Sequence, residues 1–323
     1  MSFKGNDSVL EFQEVQALRR FLQIVGWLLL GSLVFENQPV LAGAWPQKKG
    51  GLYFKLSTSY LYTTKEFNHT GDKLDIFQER LVYNKAAFRD FGIAVYLEYG
   101  LSHNFTLVSS VPFKILTSRR TESIGGGTLF RIVKLHTTGL SDFSILGRYS
   151  ILNGGLALSL QGGFKLPLGY DSNPADDGAP LGTGKVDYEL NLLVGKSLYP
   201  APAYLTGGVG YRRRTGALSD QILISAEVGV TAGKFLLKTT FDGLRSTKAP
   251  PDIVGQPVVS PLPGGGGALP NIIVGDQDIF KISPSVIYKL AGNFSVQGEV
   301  LHIVAGKNTV AGTIISLGFI LEK

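Results

Sequence analysis

Cysteine is absent from the 323 residues, methionine occurs once and histidine four times. No disulfide can staple this fold, and no thiolate is available as nucleophile or metal ligand. Charge is scarce as well, at 17% of residues against roughly 25% in an average soluble domain. The excess of 31 Lys and Arg over 25 Asp and Glu gives +6, with no basic run longer than Arg212-Arg213-Arg214. Nucleic acid is therefore not an expected partner. Beyond residue 35 nothing approaches 18 consecutive apolar residues, so that part is not expected to cross a membrane with helices. What is abundant is glycine, at 41 residues, together with 11% aromatics and 44% hydrophobic residues. Disorder is excluded by that hydrophobic content. Glycine, aromatics and few charges together point to a β-rich envelope protein.

One apolar run does occur, Phe21 to Phe35 (FLQIVGWLLLGSLVF), preceded by Arg19 and Arg20. It is too short for a spanning helix and has the form of a secretory signal. Small residues follow at Val40-Leu41-Ala42, allowing cleavage before Gly43, and Ala42-Gly43-Ala44 offers a second site. The expectation is a cleaved signal peptide over 1–42 and a single domain over 43–323.

The remainder alternates with period two, which marks strands with two unlike faces. Leu52, Phe54, Leu56, Thr58, Tyr60 and Tyr62 share one parity against Lys55, Ser57 and Ser59. Tyr188, Leu190, Leu192 and Val194 oppose Asp187, Glu189 and Asn191, and Ile222, Ile224, Val228 and Val230 oppose Gln221, Ser225 and Glu227. About twelve such segments follow one another, each of roughly 10–13 residues, enough for a tilted strand to cross a bilayer. Short connections (101–104, 153–155, 199–202, 233–234, 291–293) alternate with long ones (64–87, 117–138, 169–183, 246–276). That asymmetry is how bacterial outer-membrane barrels are arranged. The predicted fold is all-β, a transmembrane antiparallel up-and-down barrel of about 12 strands with both termini at the short-turn end. Aromatics near segment ends, among them Tyr53, Tyr60, Tyr62, Tyr99, Phe105, Tyr149, Phe235, Phe294 and Phe319, read as interfacial girdles.

With the apolar parity facing lipid, the other parity assigns fourteen charged residues to the lumen. These are Glu98, Lys114, Asp142, Arg148, Lys165, Asp187, Glu189, Arg212, Arg214, Glu227, Lys238, Asp242, Lys281 and Glu299. Both signs are represented. Two readings stay open: a charged constriction that selects solutes, or ion pairs across strands that fill a narrow barrel.

No catalytic set emerges. His302 is followed two residues on by Val304, and His136 by Thr138, so neither makes the His/Ser pair of a barrel phospholipase. No metal-ligand cluster appears beyond Asp171, Asn173, Asp176 and Asp177, which could hold Ca²⁺ but read more simply as a solvated loop. The runs Gly125-Gly126-Gly127 and Gly264 to Gly267 lack the Lys-Ser/Thr of a phosphate loop. No cofactor and no enzyme activity are expected.

The start of the expected domain, Gly43-Ala44-Trp45-Pro46-Gln47-Lys48-Lys49-Gly50-Gly51-Leu52-Tyr53-Phe54-Lys55-Leu56-Ser57, resembles Gram-negative outer-membrane proteins. These are related to the barrel family linked to the meta-pathway of phenol degradation and similar to fatty-acid and hydrocarbon transport barrels. Tyr96 to Leu101 with Pro112-Phe113-Lys114, and Gly139 to Asp142 with Lys165 to Tyr170, extend the resemblance through the first half of the domain. Ser316 to Leu321 resembles the final-strand signal of the barrel assembly machinery, although the chain ends in Glu322-Lys323. The resemblance implies an outer-membrane location and uptake of small molecules, hydrophobic or aromatic ones among them. The alternative is a non-conducting structural barrel that acts through its external loops. Unlike fatty-acid transporters, the expected domain has only about eight residues before its first strand, which by length alone predicts no plug.

Overall fold

The computed structural model describes residues 43–76, 86–124, 129–172, 174, 178–216, 218–248 and 277–323. The expected signal peptide, most of the 246–276 loop, both glycine runs, and Asn173, Asp176 and Asp177 lie outside the described residues. Within them the regular elements are all strands. In chain order these are β1 (Leu52–Thr63), β2 (Lys65–Phe67), β3 (Lys73–Asp75), β4 (Ala87–Gly100), β5 (Phe105–Ile124) and β6 (Leu129–Leu140). Then come β7 (Asp142–Leu152), β8 (Leu156–Pro167), β9 (Asp187–Ser197), β10 (Ala203–Arg214) and β11 (Gln221–Ala232). The last are β12 (Phe235–Ser246), β13 (Asp278–Lys289), β14 (Phe294–Lys307), β15 (Thr309–Ala311) and β16 (Thr313–Glu322).

Twelve of these, β1, β4, β5, β7 to β14 and β16, form a closed antiparallel barrel. Closure comes from β1, which pairs with β4 on one side and with β16 on the other. No sheet edge is left within the ring, as a wall in hydrocarbon requires. Three short strands, β15, β2 and β3, make a separate sheet at the long-loop rim.

The strand alternation sorts as its chemistry dictates. Leu190, Leu192 and Val194 point outward and are about half exposed, and Leu317 is 66% exposed. Their partners in the ladder are equally apolar: Ile315 lies opposite Tyr60 and Val300, and Leu192 opposite Leu160 and Val209. A belt of this kind is stable only against an apolar solvent.

Two sequence expectations are corrected. Residues 117–124 and 129–138 are not loop but the upper arms of a hairpin, with β6 pairing Phe113 to Ile124 of β5. β7 pairs the lower part of β5, Phe105 to Ser110, and Ser141 between β6 and β7 takes up a one-residue shift of register. Tyr53, expected in an aromatic girdle, faces inward. It lies opposite Glu98 and Glu322, with its ring edge-on to Tyr96 at 6.0 Å.

One seam in the wall is incomplete. Between Ile282↔His302 and Ser285↔Glu299 the β13–β14 ladder misses its rungs at Ser283 and Pro284. Proline has no N–H to donate there. At the seam Val228, Val230, Leu237, Pro284, Val286, Gly298 and Val300 line a mostly apolar recess of about 540 Å³, to which Lys238, Thr239 and Ser285 also contribute. Inside the seam the hydroxyls of Ser283 and Ser285 are buried with no hydrogen-bond partner.

Candidate functional site

Residues 43–51, which precede β1, do not hang below the barrel; they turn into it. Gly50, at φ 74°, reverses the chain, with the Gly50 N–H donating to Gly100 O at 2.7 Å and the Gly51 N–H to Lys48 O at 2.8 Å. A β-carbon at Gly50 would be strained by that φ. From there the chain meets one strand after another at the short-turn end. The Gln47 N–H donates to Thr106 Oγ1 on β5 (2.8 Å), and Gln47 Nε2 to Glu98 on β4 (2.9 Å). The Trp45 carbonyl accepts from Arg148 on β7 (3.1 Å), and the Ala44 carbonyl from Ser159 on β8 (2.5 Å). Trp45 Nε1 donates to Gly154 O in the β7–β8 turn (3.0 Å). Its ring stands edge-on to Tyr204 of β10, centroids 6.2 Å apart. Ala44, Trp45, Ala157 and Tyr204 form a buried apolar cluster inside the barrel, with Leu193 and Leu236 against it.

The expectation that about eight residues cannot make a plug is therefore corrected. An extended chain spans roughly 3.3 Å or more per residue, enough to reach from β4 to β10. A lone tryptophan beside a proline in a segment without alternation was the sequence signal. The seating is tight: a β-carbon built on Gly195 would lie 2.6 Å from the Trp45 ring. Gly195→Ala should displace the indole and cost about 1–3 kcal/mol, the usual range for overpacking, read as a lower denaturation midpoint in detergent.

The segment is held by one buried ionic cluster. Arg148 Nη2 meets Glu98 Oε1 at 2.9 Å, the two side chains being only 4% and 5% exposed. Nη1 reaches Glu98 Oε2 at 3.4 Å as well as the Trp45 carbonyl, and Nε donates to Gln161 at 2.9 Å. Glu98 also accepts from the Tyr96 hydroxyl at 2.5 Å. This pair passes over an intervening strand, since Glu98 lies opposite Val108 of β5 and Arg148 opposite Thr106.

The other charged residues assigned to the lumen all sit on the inward parity, and most are paired with a neighbour. Lys114 is 3.5 Å from Asp90, and Lys281 is 3.9 Å from Asp242. Arg212 Nη2 is 2.8 Å from Glu189, which also accepts from Asn191. Lys238 is 2.8 Å from Glu227, which further accepts from Tyr204 (2.6 Å) and Thr240 (2.7 Å). Lys165 bridges Asp142 (2.6 Å) and Asp187 (3.0 Å), and Asp187 lies 3.6 Å from Arg214. Glu299 accepts from Gln297 at 3.1 Å. The interior is thus a wall of fixed dipoles more than a ring of one sign.

At the opposite end, part of the 169–183 connection also folds inward. Leu181 is buried, its carbonyl taken by the Ser141 hydroxyl, and Thr183 accepts from Lys165 at 3.3 Å. The Tyr170 hydroxyl donates to Asp142 and accepts from the Gly184 N–H at 2.8 Å. Burial first, and then the bond to Asp142, raises the Tyr170 pKa, so the phenol stays protonated as the donor. Tyr170→Phe should release this loop at a cost of about 1.5–3 kcal/mol for a bond to a charged group, read as faster proteolysis between 171 and 186.

His136 is exposed and His302 half-buried, hydrogen-bonded to Thr117 (3.1 Å) and Thr313 (2.8 Å) respectively. Among the described residues no group of three His, Cys, Asp or Glu could hold a metal ion.

No family model matches the sequence, and no curated protein matches it either. Solved structures do resemble the fold. The COG4313 outer membrane channel from Pseudomonas putida F1 is similar with a TM-score of 0.58 at 12% identity, covering 89% of this chain and all of that one. The KdgM porin in complex with disordered oligogalacturonate gives 0.43 at 8% identity over 84% of this chain and 98% of that chain. The NanC porin gives 0.45 at 8% identity over 83% and 98%. The shared feature is the outer-membrane β-barrel fold.

Proposed function

We propose that the chain is exported, inserted into the outer membrane of a Gram-negative bacterium by the barrel assembly machinery, and there passes small molecules through its interior. The observation that carries this is an enclosed polar lumen narrowed at the short-turn end by a nine-residue segment, 43–51, pinned through Arg148. A barrel built only as a scaffold has no use for a polar interior, whose buried charges are costly unless each is partnered. The apolar belt supports the membrane location. Leu317→Lys, at the most exposed large aliphatic side chain among the described residues, should cost about 2–4 kcal/mol near the bilayer midplane, measured as lost folding yield into lipid vesicles.

The finer reading is that hydrophobic or aromatic solutes are among those carried. It is supported by the family resemblance of segment 43–57 and by the mostly apolar recess at the Pro284 seam. Planar-bilayer recording of the purified protein tests the channel: small, stable conductance steps are expected. Their absence both from the intact barrel and from one lacking the segment would leave the loop-based structural reading.

A further inference from the structure

We propose that the chain is cut between Ala42 and Gly43, and that the ammonium group so created is held inside the barrel by Glu227. This rests on the export that the proposed function requires and on no property of the pore. Gly43 is at φ 94°, where a side chain is strained, and a β-carbon there would come 3.2 Å from Thr206 Cγ2 on the inner wall of β10. Thr206 lies directly opposite Glu227 in the β10–β11 ladder. Position 43 therefore sits beside an interior carboxylate.

That carboxylate has room for another donor. Glu227 Oε2 accepts from Lys238 and Thr240, whereas Oε1 accepts from Tyr204. Each carboxylate oxygen can take two, and an ammonium at Gly43 supplies three N–H groups. Gly43 is half-buried against the inner wall, and a partly desolvated cation there is favoured by a partner of this kind.

The contacts also choose between the two sites that the sequence allows. Ala44 is 1% exposed, its methyl in the cluster with Trp45, Ala157 and Tyr204 and its carbonyl bonded to Ser159. Cutting after Ala44 would discard both contacts; cutting after Ala42 keeps them. The step is hydrolysis by an export endopeptidase. The Ala42–Gly43 amide C–N bond breaks, the oxygen of water goes to the Ala42 carboxylate, and its protons leave Gly43 as the ammonium.

The test uses the protein produced from the complete sequence in a Gram-negative host and purified from membranes in detergent. Its intact mass should begin at Gly43. An amine-reactive ester, followed by peptide mapping, should label the Gly43 amine at least about tenfold more slowly than in the urea-unfolded chain, as a charge-assisted bond implies. Glu227→Gln should abolish most of that protection. If Glu227→Gln does not fold, a serine inserted between Ala42 and Gly43 shifts the amine out of reach, and it should label at the unfolded rate. A mass beginning at Trp45, an uncut chain, or an amine labelled as fast in the folded as in the unfolded protein would overturn the assignment. None of these readouts depends on conductance, so a silent barrel with a protected Gly43 amine would sink the channel alone.

Discussion

A barrel lacking residues 44–50 should conduct severalfold more current than the intact one, with larger unit steps and no loss of the folded ring. The segment makes its hydrogen bonds to β4, β5, β7 and β8, and its ring and backbone pack on β9 and β10. It therefore fills the half of the short-turn mouth that those strands surround. None of the twelve wall ladders runs through it, since closure depends on β1 meeting β4 and β16. Deletion removes matter from the lumen without removing a rung. A twelve-stranded ring lies between the eight-stranded barrels that side chains can fill and the sixteen-stranded ones that hold open channels. At that size, one chain segment is a large share of the cross-section. The measurement is single-channel conductance in planar bilayers, with heat-modifiable gel mobility confirming the fold. Equal conductance with and without the segment would mean that the path is set elsewhere, at the Leu181 loop or by the paired charges.

The barrel was legible because hydrocarbon imposes a rule on every second residue of a wall strand: Leu190, Leu192 and Val194 could not have been polar. Where that rule stops, the sequence stops speaking in period two. Thr117, Ser118, Arg119 and Arg120 continue β5 beyond the point where β7 leaves it, with no apolar belt to keep, and so read as loop. Tyr53 was misplaced because ring type suggested an interface, although its parity, shared with Lys55, already put it inside. The fourteen lumen charges could be assigned to a face but not to partners. Pairing across strands depends on register, which turns and bulges fix. Glu98 and Arg148, fifty residues apart and two strands apart in the ring, share no local pattern at all. The inner segment escaped because it was judged by length. Its anchoring depends on Gly195 and Gly100 leaving room for Trp45 and the Lys48 carbonyl, a property of the wall and not of the segment.

Arg148→Met should destabilise the barrel by about 3–5 kcal/mol, the range for removing one partner of a buried ion pair. The loss exceeds that of one contact because the guanidinium satisfies four acceptors together: both Glu98 oxygens, the Gln161 side chain and the Trp45 carbonyl. Methionine fills much of the volume but leaves the Glu98 carboxylate with only the Gln47 amide and the Tyr96 hydroxyl. Arg148→Lys should recover only part of the loss, because a point ammonium cannot hold Glu98 side-on while also reaching Gln161. The double replacement Glu98→Leu with Arg148→Met removes both charges and should regain most of the stability, yet it still lacks the donor to the Trp45 carbonyl. Stability and seating of the segment are thereby separated. Denaturation in detergent reads the first, and tryptic cutting after Lys48 or Lys49 reads the second. The single and double variants should both expose that site to trypsin, while only the single variant melts early. If the double variant were as protected from trypsin as the natural chain, Arg148 would serve the wall alone, and Trp45 in its socket would be sufficient to hold the segment.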